Sequence, residues 1–337
     1  MPRRRPRTSF APHVEHHEET ALAEGTVAVL AGGLSHERDV SLRSGRRLSV
    51  ALRDQGLTVH EWDTDSGLLE RLQNDRPDAA VVALHGGAGE NGSVQTILEM
   101  LGVPFVGTSS QGCRKAWDKP IAKALVESAG FSTPPWVSLP HSTFRELGAQ
   151  PVLDAMVERL GLPLLLKPDQ GGSALGAQVV RDAADLPAAM VGCFAYGDTV
   201  LAERFVDGVE VAVAVVERDG GPEALPPVEI VPEGGVYDYT ARYTAGLTDF
   251  FAPARLSDES RDAVQELAVR AHSLLGLRDI SRTDAIVAED GTVHFLEVNS
   301  SPGLTETSTV PMAFEAAGTS LGAVFTDLVR RAVQRGS

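Results

Sequence analysis

Apolar residues recur along this chain in two rhythms, and the switches between them mark its elements. Thr26 to Leu30 is a short apolar run ending in Ala31-Gly32-Gly33, the pattern of a buried strand entering a glycine turn. Val40, Leu48, Ala51 and Leu52 then fall on one side of a helix reaching about Gln55, with Gly56 placed to end it. Strands are predicted over Thr58 to Trp62, Asp78 to Leu84 and Val103 to Val106, with a short helix over 68–74 and another over Ser93 to Leu101. Strand and helix in alternation imply a parallel sheet covered on both faces. Ligands bind such sheets beyond the carboxyl ends of the strands. The glycine turns at 32–33 and 86–92 both fall there.

The rhythm changes after Thr108. Trp117-Asp118-Lys119 opens a helix through Gly130, and Ser132-Thr133-Pro134-Pro135 is a rigid linker into Trp136-Val137. Leu162 to Pro168 reads as a strand carrying Lys167 at its end. The flexible loop Gln170 to Gly176 follows, and its backbone amides are suited to cover phosphates. Val200 to Val206 and Glu210 to Val216 read as a strand and its return. Further on come a Tyr-rich loop, Tyr237 to Tyr243, and a long helix, Ser257 to Leu275. The last helix carries the stripe Leu321, Val324, Phe325, Leu328, Val329 and Ala332, which reads as core packing.

Between the last two helices, apolar residues alternate on both sides of Glu289-Asp290-Gly291, which predicts a hairpin. Period two puts Glu297 and Asn299 on one face and Leu296 and Val298 on the other, and pairing across the turn brings Asp284 beside the polar face. Three oxygen ligands suit magnesium. A solvated strand face reads equally well from the hairpin alone. Lys167 inside an apolar run calls for a partner. Glu37 reads as either a ligand or a first-turn helix residue favoured by the dipole, and His85 as either a ligand or a satisfied strand-end histidine.

The bulk numbers narrow the classes. The chain has 337 residues, enough for two or three domains, and 43% hydrophobic with 23% charged content is that of a soluble globular protein. A net charge of −16 argues against a general nucleic-acid partner, and no apolar run approaches a membrane span. Cys113 and Cys193 form no metal-spaced pair, so a reducing compartment, the cytoplasm, is expected. Residues 1–25, with Arg3, Arg4, Arg5 and Arg7 and then His13, His16 and His17, read as a disordered tail without the apolar centre of a signal peptide. The first turn lacks the third glycine of a dinucleotide fingerprint, and Cys113 stands where a P-loop lysine would follow Gly107 and Gly112. HExxH and GxSxG are absent.

Taken together, the Ala31-Gly32-Gly33 turn with Glu37 to Leu42, the His85 to Gly92 turn, Asp118-Lys119, Leu166-Lys167-Pro168 with its glycine loop, Tyr237-Asp238-Tyr239 and Glu297-Val298-Asn299 with Pro302-Gly303 carry a resemblance. From 26 to 335 the chain resembles the D-alanine–D-alanine ligases of the ATP-grasp superfamily. The resemblance implies an α/β fold of three-domain ATP-grasp architecture, with an N-terminal parallel α/β domain and two α+β domains sandwiching ATP. The boundaries expected are 26–107 (substrate domain), 108–206 (central) and 207–337 (catalytic).

It also implies a reaction and its residues. ATP phosphorylates one D-amino acid's carboxylate, and a second amine attacks the acyl phosphate, releasing ADP and phosphate. Asp284, Glu297 and Asn299 would hold two Mg2+ ions, with Mn2+ as a substitute. Lys119 and Lys167 would contact phosphates under the 170–176 loop, Gly172 and Ser173 included. Glu203 and the Val206 backbone would read adenine, Arg204 would flank it, and Glu210 would hold the ribose. Arg282 would stabilise the oxyanion. Glu37 would bind the first substrate's ammonium and, with Ser173 and Tyr243, close the active-site loop. His85 and Glu90 would line the first subsite. Gly303 and Ser308 would serve the second, where Ser308 takes a carboxylate. A homodimer is expected on the same ground.

Some residues depart from the family pattern. The loop lacks the Arg-Glu that usually precedes its Gly-Ser and the second serine that follows. Arg242 replaces a lysine. Thr307 and Thr309 flank Ser308 where histidine and leucine are usual. The leading expectation is D-alanine–D-alanine ligation for peptidoglycan precursors. The alternatives are a ligase of changed substrate, in secondary metabolism or resistance, and a non-catalytic nucleotide-binding regulator.

Overall fold

In the computed structural model, residues 25–244 and 246–336 are described, so all but Gly25 of the expected tail lies outside them. Three sheets follow one another in the chain. The first is parallel, in the order β2 (Thr58–Asp63), β1 (Thr26–Ala31), β3 (Ala79–Val82), β4 (Phe105–Val106). Its connections are α1 (Arg38–Asp54), α2 (Leu68–Asp75) and α3 (Ser93–Leu101). α4 (Ser110–Trp117) and α5 (Lys119–Ser128) lead to an antiparallel sheet ordered β5 (Trp136–Pro140), β8 (Thr199–Arg204), β6 (Leu164–Pro168), β7 (Gln178–Val180). It is covered by α6 (His141–Leu147), α7 (Ala149–Leu160) and α8 (Leu186–Phe194).

The third sheet, also antiparallel, runs β12 (Thr248–Phe251), β11 (Val228–Pro232), β9 (Val209–Arg218), β13 (Ile280–Val287), β14 (Val293–Asn299), with β10 (Gly221–Ala224) paired to β9. Its helices are α9 (Tyr239–Tyr243), α10 (Asp258–Leu275), α11 (Thr309–Ala316) and α12 (Leu321–Arg335). The Tyr-rich stretch expected as a loop closes into α9 because Asp238 caps it, accepting from the Ala241 amide at 2.9 Å.

Packing does not run sheet by sheet in chain order. α4 and α5 precede the second sheet but pack on the third, where Ala116, Ala122 and Val126 join Val213, Leu267, Ala271 and Phe295 in one core. The stripe of α12 is buried as expected, but against the first sheet and α1: Phe325, Leu328 and Val329 share one core with Val27, Val29 and Leu48. Ala214, Val228 and Ile280 of the third sheet belong to the same core, so the first and third sheets are fused. Asp279 clamps this seam. Fully buried and at φ 65°, it receives Arg335 Nη1 at 2.9 Å and the Gly107 amide at 2.8 Å. Beside it, Arg278 lies over the Phe105 ring.

The hairpin forms around the expected turn, with the Ala288 amide donating to the Thr292 carbonyl at 2.9 Å. One detail of its face assignment is corrected. Asp284 pairs with Glu297 and Ala285 with Phe295, which leaves Leu296 as an extra residue. A bulge of this kind sets two residues opposite one and interrupts the alternation. Leu296 therefore lines the cleft beside Glu297, while Phe295 and Val298 both enter the core.

Candidate active site

The site forms where the first sheet's carboxyl edge meets the cleft between the other two sheets. Gly32 sits at φ 98°, and a Cβ there would lie 2.4 Å from Asp63 Oδ1, so only glycine fits this turn. Ser41, fully buried on α1, accepts from the Gly32 amide and donates to the Ala83 carbonyl, both at 2.8 Å. These bonds fix the start of α1 and hold Glu37 over the sheet edge. Ser173 donates to Glu37 across the gap from the glycine loop. Gly172 comes so close that a Cβ would lie 2.8 Å from Glu37 Oε2. The loop thus lies closed on the first domain, with Ser173 and Ala174 both left-handed, at φ 55° and 54°. The Tyr243 side chain lies outside the described part of the structure.

Two connected cavities result. The larger, of about 370 Å3, lies between the antiparallel sheets and is lined by Lys119, Lys167, Gly172, Glu203, Arg204, Val206 and Glu210 on its way to Asp284 and Glu297. The smaller, of about 80 Å3, is lined by Glu37, His85, Glu90, Ser173, Arg282, Asn299, Gly303 and Ser308. Asp284, Tyr237, Arg242 and Ile230 line both and form their junction. Every proposed site residue whose side chain is described therefore faces one cavity or both.

Charge is concentrated at the junction. Arg282 forks Asp284 with two bonds of 2.7 Å, an arrangement that suits the planar guanidinium. Burial works against the Arg282 charge, but Asp284 and Glu297 outweigh it and raise its pKa. Burial would likewise raise the Glu297 pKa, but Lys119, Lys167, Arg242 and Arg282 bring it down to about 2. Lys119 Nζ stands 3.7 Å from Glu297 Oε2 and donates to the Gly171 carbonyl at 2.7 Å. Arg242, which replaces the usual lysine, lies 4.3 Å over the Tyr237 ring. Asn299 Nδ2 is 3.5 Å from Asp284 Oδ2, so the expected metal set is gathered. Two carboxylates and an amide, with Glu297 held ionised, fit a hard divalent cation that also takes phosphate oxygens.

For three residues the structure supplies partners: His85 takes the satisfied strand-end role offered above, while Glu203 and Lys123 gain a pairing that the sequence did not give them. His85 is pinned on both nitrogens, with Nδ1 3.0 Å from the Ser301 carbonyl and Nε2 2.8 Å from Ser44 Oγ. A carbonyl only accepts, so Nδ1 carries the proton; burial lowers the His85 pKa and favours the neutral ring. His85 thus positions the 301–304 segment. Glu203 is fully enclosed, with Lys123 on one oxygen and Lys167 Nζ 2.6 Å from the other. Burial opposes its charge, but the two lysines prevail and lower its pKa. Lys123 was missed altogether. The signal was available: Lys119, Ala122, Lys123 and Val126 share the buried stripe of α5, where a lysine requires a partner.

Glu90 supplies a pH-dependent prediction. Burial, then the charge of Glu37, pushes its pKa up to about 8. A carboxyl raised in the folded state is protonated there while the unfolded chain has already lost its proton, so stability falls as pH rises between the two values. From pH 5 to 8 the wild type should lose about 3–4 kcal/mol that Glu90→Gln keeps. Chemical denaturation at several pH values checks this, and parallel curves for the two proteins would remove the assignment.

A parallel domain joined to two antiparallel sheets that face each other across a lysine- and carboxylate-lined cleft is the ATP-grasp architecture. Residues 125–333 match the family model described as D-ala D-ala ligase C-terminus. A D-alanine–D-alanine ligase of Anaeromyxobacter sp. (strain K) is 42% identical over 305 residues, covering 90% of this chain and 94% of the relative. That of Nitrosospira multiformis is 40% identical over 296 residues, covering 88% and 93%. Among solved structures, the D-alanine–D-alanine ligase of Bacillus anthracis complexed with ATP has a TM-score of 0.76 at 26% identity, covering 92% of this chain and 98% of that one. The VanG D-Ala:D-Ser ligase of Enterococcus faecalis has a TM-score of 0.78 at 27% identity, covering 92% and 99%. The chain belongs to the D-alanine–D-alanine ligase family.

Proposed function

We propose that this protein is an ATP-dependent ligase that joins two D-alanines, supplying a dipeptide for peptidoglycan precursors. The observation that carries this reading is the junction: a nucleotide-sized cleft and a small amino-acid-sized pocket meet at Asp284, Tyr237 and Arg242. ATP lies in the cleft with adenine at Glu203, Arg204 and the Val206 backbone, ribose at Glu210, and phosphates at Lys119, Lys167 and the glycine loop. Asp284, Glu297 and Asn299 would hold magnesium, which would supply charge neutralisation for the transferring phosphoryl.

The first D-alanine binds with its ammonium at Glu37, beside Glu90 and His85, and its carboxylate faces the junction. A carboxylate oxygen attacks the γ-phosphorus, the bond to ADP breaks, and an acyl phosphate forms. The second D-alanine is held by its carboxylate at Ser308 and Gly303, and its amine, once deprotonated, attacks the acyl carbon. Arg282 faces the oxygen that gains charge, and phosphate leaves as the C–N bond closes. Ser173, Glu37 and Tyr243 keep the loop shut and exclude water.

Residues 26–107, 108–206 and 207–337 serve as substrate, central and catalytic domains. Among the described residues no helix is long and apolar enough to cross a membrane; we place the enzyme in the cytoplasm, acting as a homodimer, which sedimentation velocity tests. The decisive assay is phosphate release from ATP with D-alanine, read with mass spectrometry of the product. D-Ala–D-Ala at robust turnover is the expected result, and an inert D-alanine would refute it. Thr307 and Thr309 in the smaller pocket favour a second reading, a changed acceptor. A panel of D-amino acids and D-lactate in the same assay separates the two.

A further inference from the structure

Lys123 belongs to α5, and its whole side chain is inaccessible to solvent. It does not line the nucleotide cleft, so it touches no ligand there. Its ammonium meets one oxygen of Glu203, while Lys167, which does line the cleft, meets the other oxygen at 2.6 Å. Two positive charges and one negative are thus enclosed together. Burying an ammonium is costly, and an apolar residue would fill the same stripe, as Ala122 and Val126 do beside it. The packing of α5 alone gives no reason for the charge.

We propose that Lys123 is a positioning residue that neutralises Glu203 so that the charge of Lys167 stays available to the nucleotide's phosphates. With Lys123 present, Glu203 is balanced from behind and the group presents one net positive charge to the cleft. Without it, Lys167 becomes the sole counter-ion of a buried carboxylate, and the pair facing the cleft is neutral. Glu203 keeps its contact with Lys167 in both cases. Lys123 therefore acts on phosphate binding through two intermediaries and leaves adenine binding largely unchanged. This inference rests on the nucleotide-binding part of the function proposed above.

The test is a calorimetric titration of ADP and of AMP into the wild type, Lys123→Met, and Lys123→Met combined with Glu203→Gln. ADP and AMP share the base and ribose, so their affinity ratio isolates the added phosphate. We expect Lys123→Met to reduce the ADP:AMP ratio about tenfold, a modest share of what one charge exerts at partly screened distances. The double variant, having lost the anion as well, should recover the ratio. Equal weakening of ADP and AMP would mean that Lys123 only supports the pocket's shape, and an unchanged ratio would equally overturn the proposal. If Lys123→Met does not fold, Glu203→Gln alone decides: freeing Lys167 should raise the ratio, and a fall sinks the idea. A wild type that binds neither nucleotide would instead refute the ligase reading itself.

Discussion

Arg282→Ala should lower turnover by about 10²–10³ while leaving the fold intact. Arg282 lines the smaller cavity, forks Asp284 and is kept charged by Asp284 and Glu297. In the function proposed above it is a preorganised cation facing the place where both the phosphoryl transfer and the amine attack develop negative charge. Such a group does most of its work in the transition state, so kcat should fall more than the KM for D-alanine rises. Arg282→Lys should recover little, because an ammonium cannot fork the carboxylate and still face the reacting oxygen. Steady-state kinetics with circular dichroism checks this. Turnover within tenfold of wild type in a folded Arg282→Ala protein would remove Arg282 from the reaction.

The second large effect is on stability. Asp279→Ala should cost about 3–5 kcal/mol, since it leaves Arg335 and Arg278 without their buried partner. It also deprives the Gly107 amide of its acceptor and places alanine at a φ of 65°, a region that aspartate and asparagine tolerate better. Asp279→Asn keeps the backbone preference and an acceptor for Gly107, so it should lose clearly less. Urea denaturation of the two variants beside wild type measures the difference. A loss below about 1 kcal/mol in Asp279→Ala would show that the clamp contributes little.

Both predictions involve features that were unequally legible in the sequence. Asp284, Glu297 and Asn299 were readable as one polar face because strand period and turn chemistry are local. The bulge at Leu296 was not, since it arises from pairing between two strands. Lys167 announced itself as a charge in an apolar run, but its partner Glu203, and the Lys123 that shares that carboxylate, come from a different strand and a helix. The helix α8 is not legible because Leu186 to Phe194 is apolar almost throughout and shows no face. α12 was recognised, but the sheet it covers lies at the opposite end of the chain, and amphipathicity says only that a face is buried. The 301–304 segment resisted for a similar reason: His85, more than two hundred positions away, holds it through the Ser301 carbonyl.

The seating of α12 also bears on how the protein is made. Val27, Val29 and Leu48 are translated early, yet Phe325, Leu328 and Val329, which complete their core, are translated far later. The nascent first sheet has one side built on α2 and α3, while its other side carries α1 alone and stays partly open until α12 has been made. The first sheet's core is therefore not completed by residues up to 107, and the interval before α12 emerges leaves apolar surface exposed. A premature stop before residue 321 would take away the missing half of the first domain's core, not merely a tail.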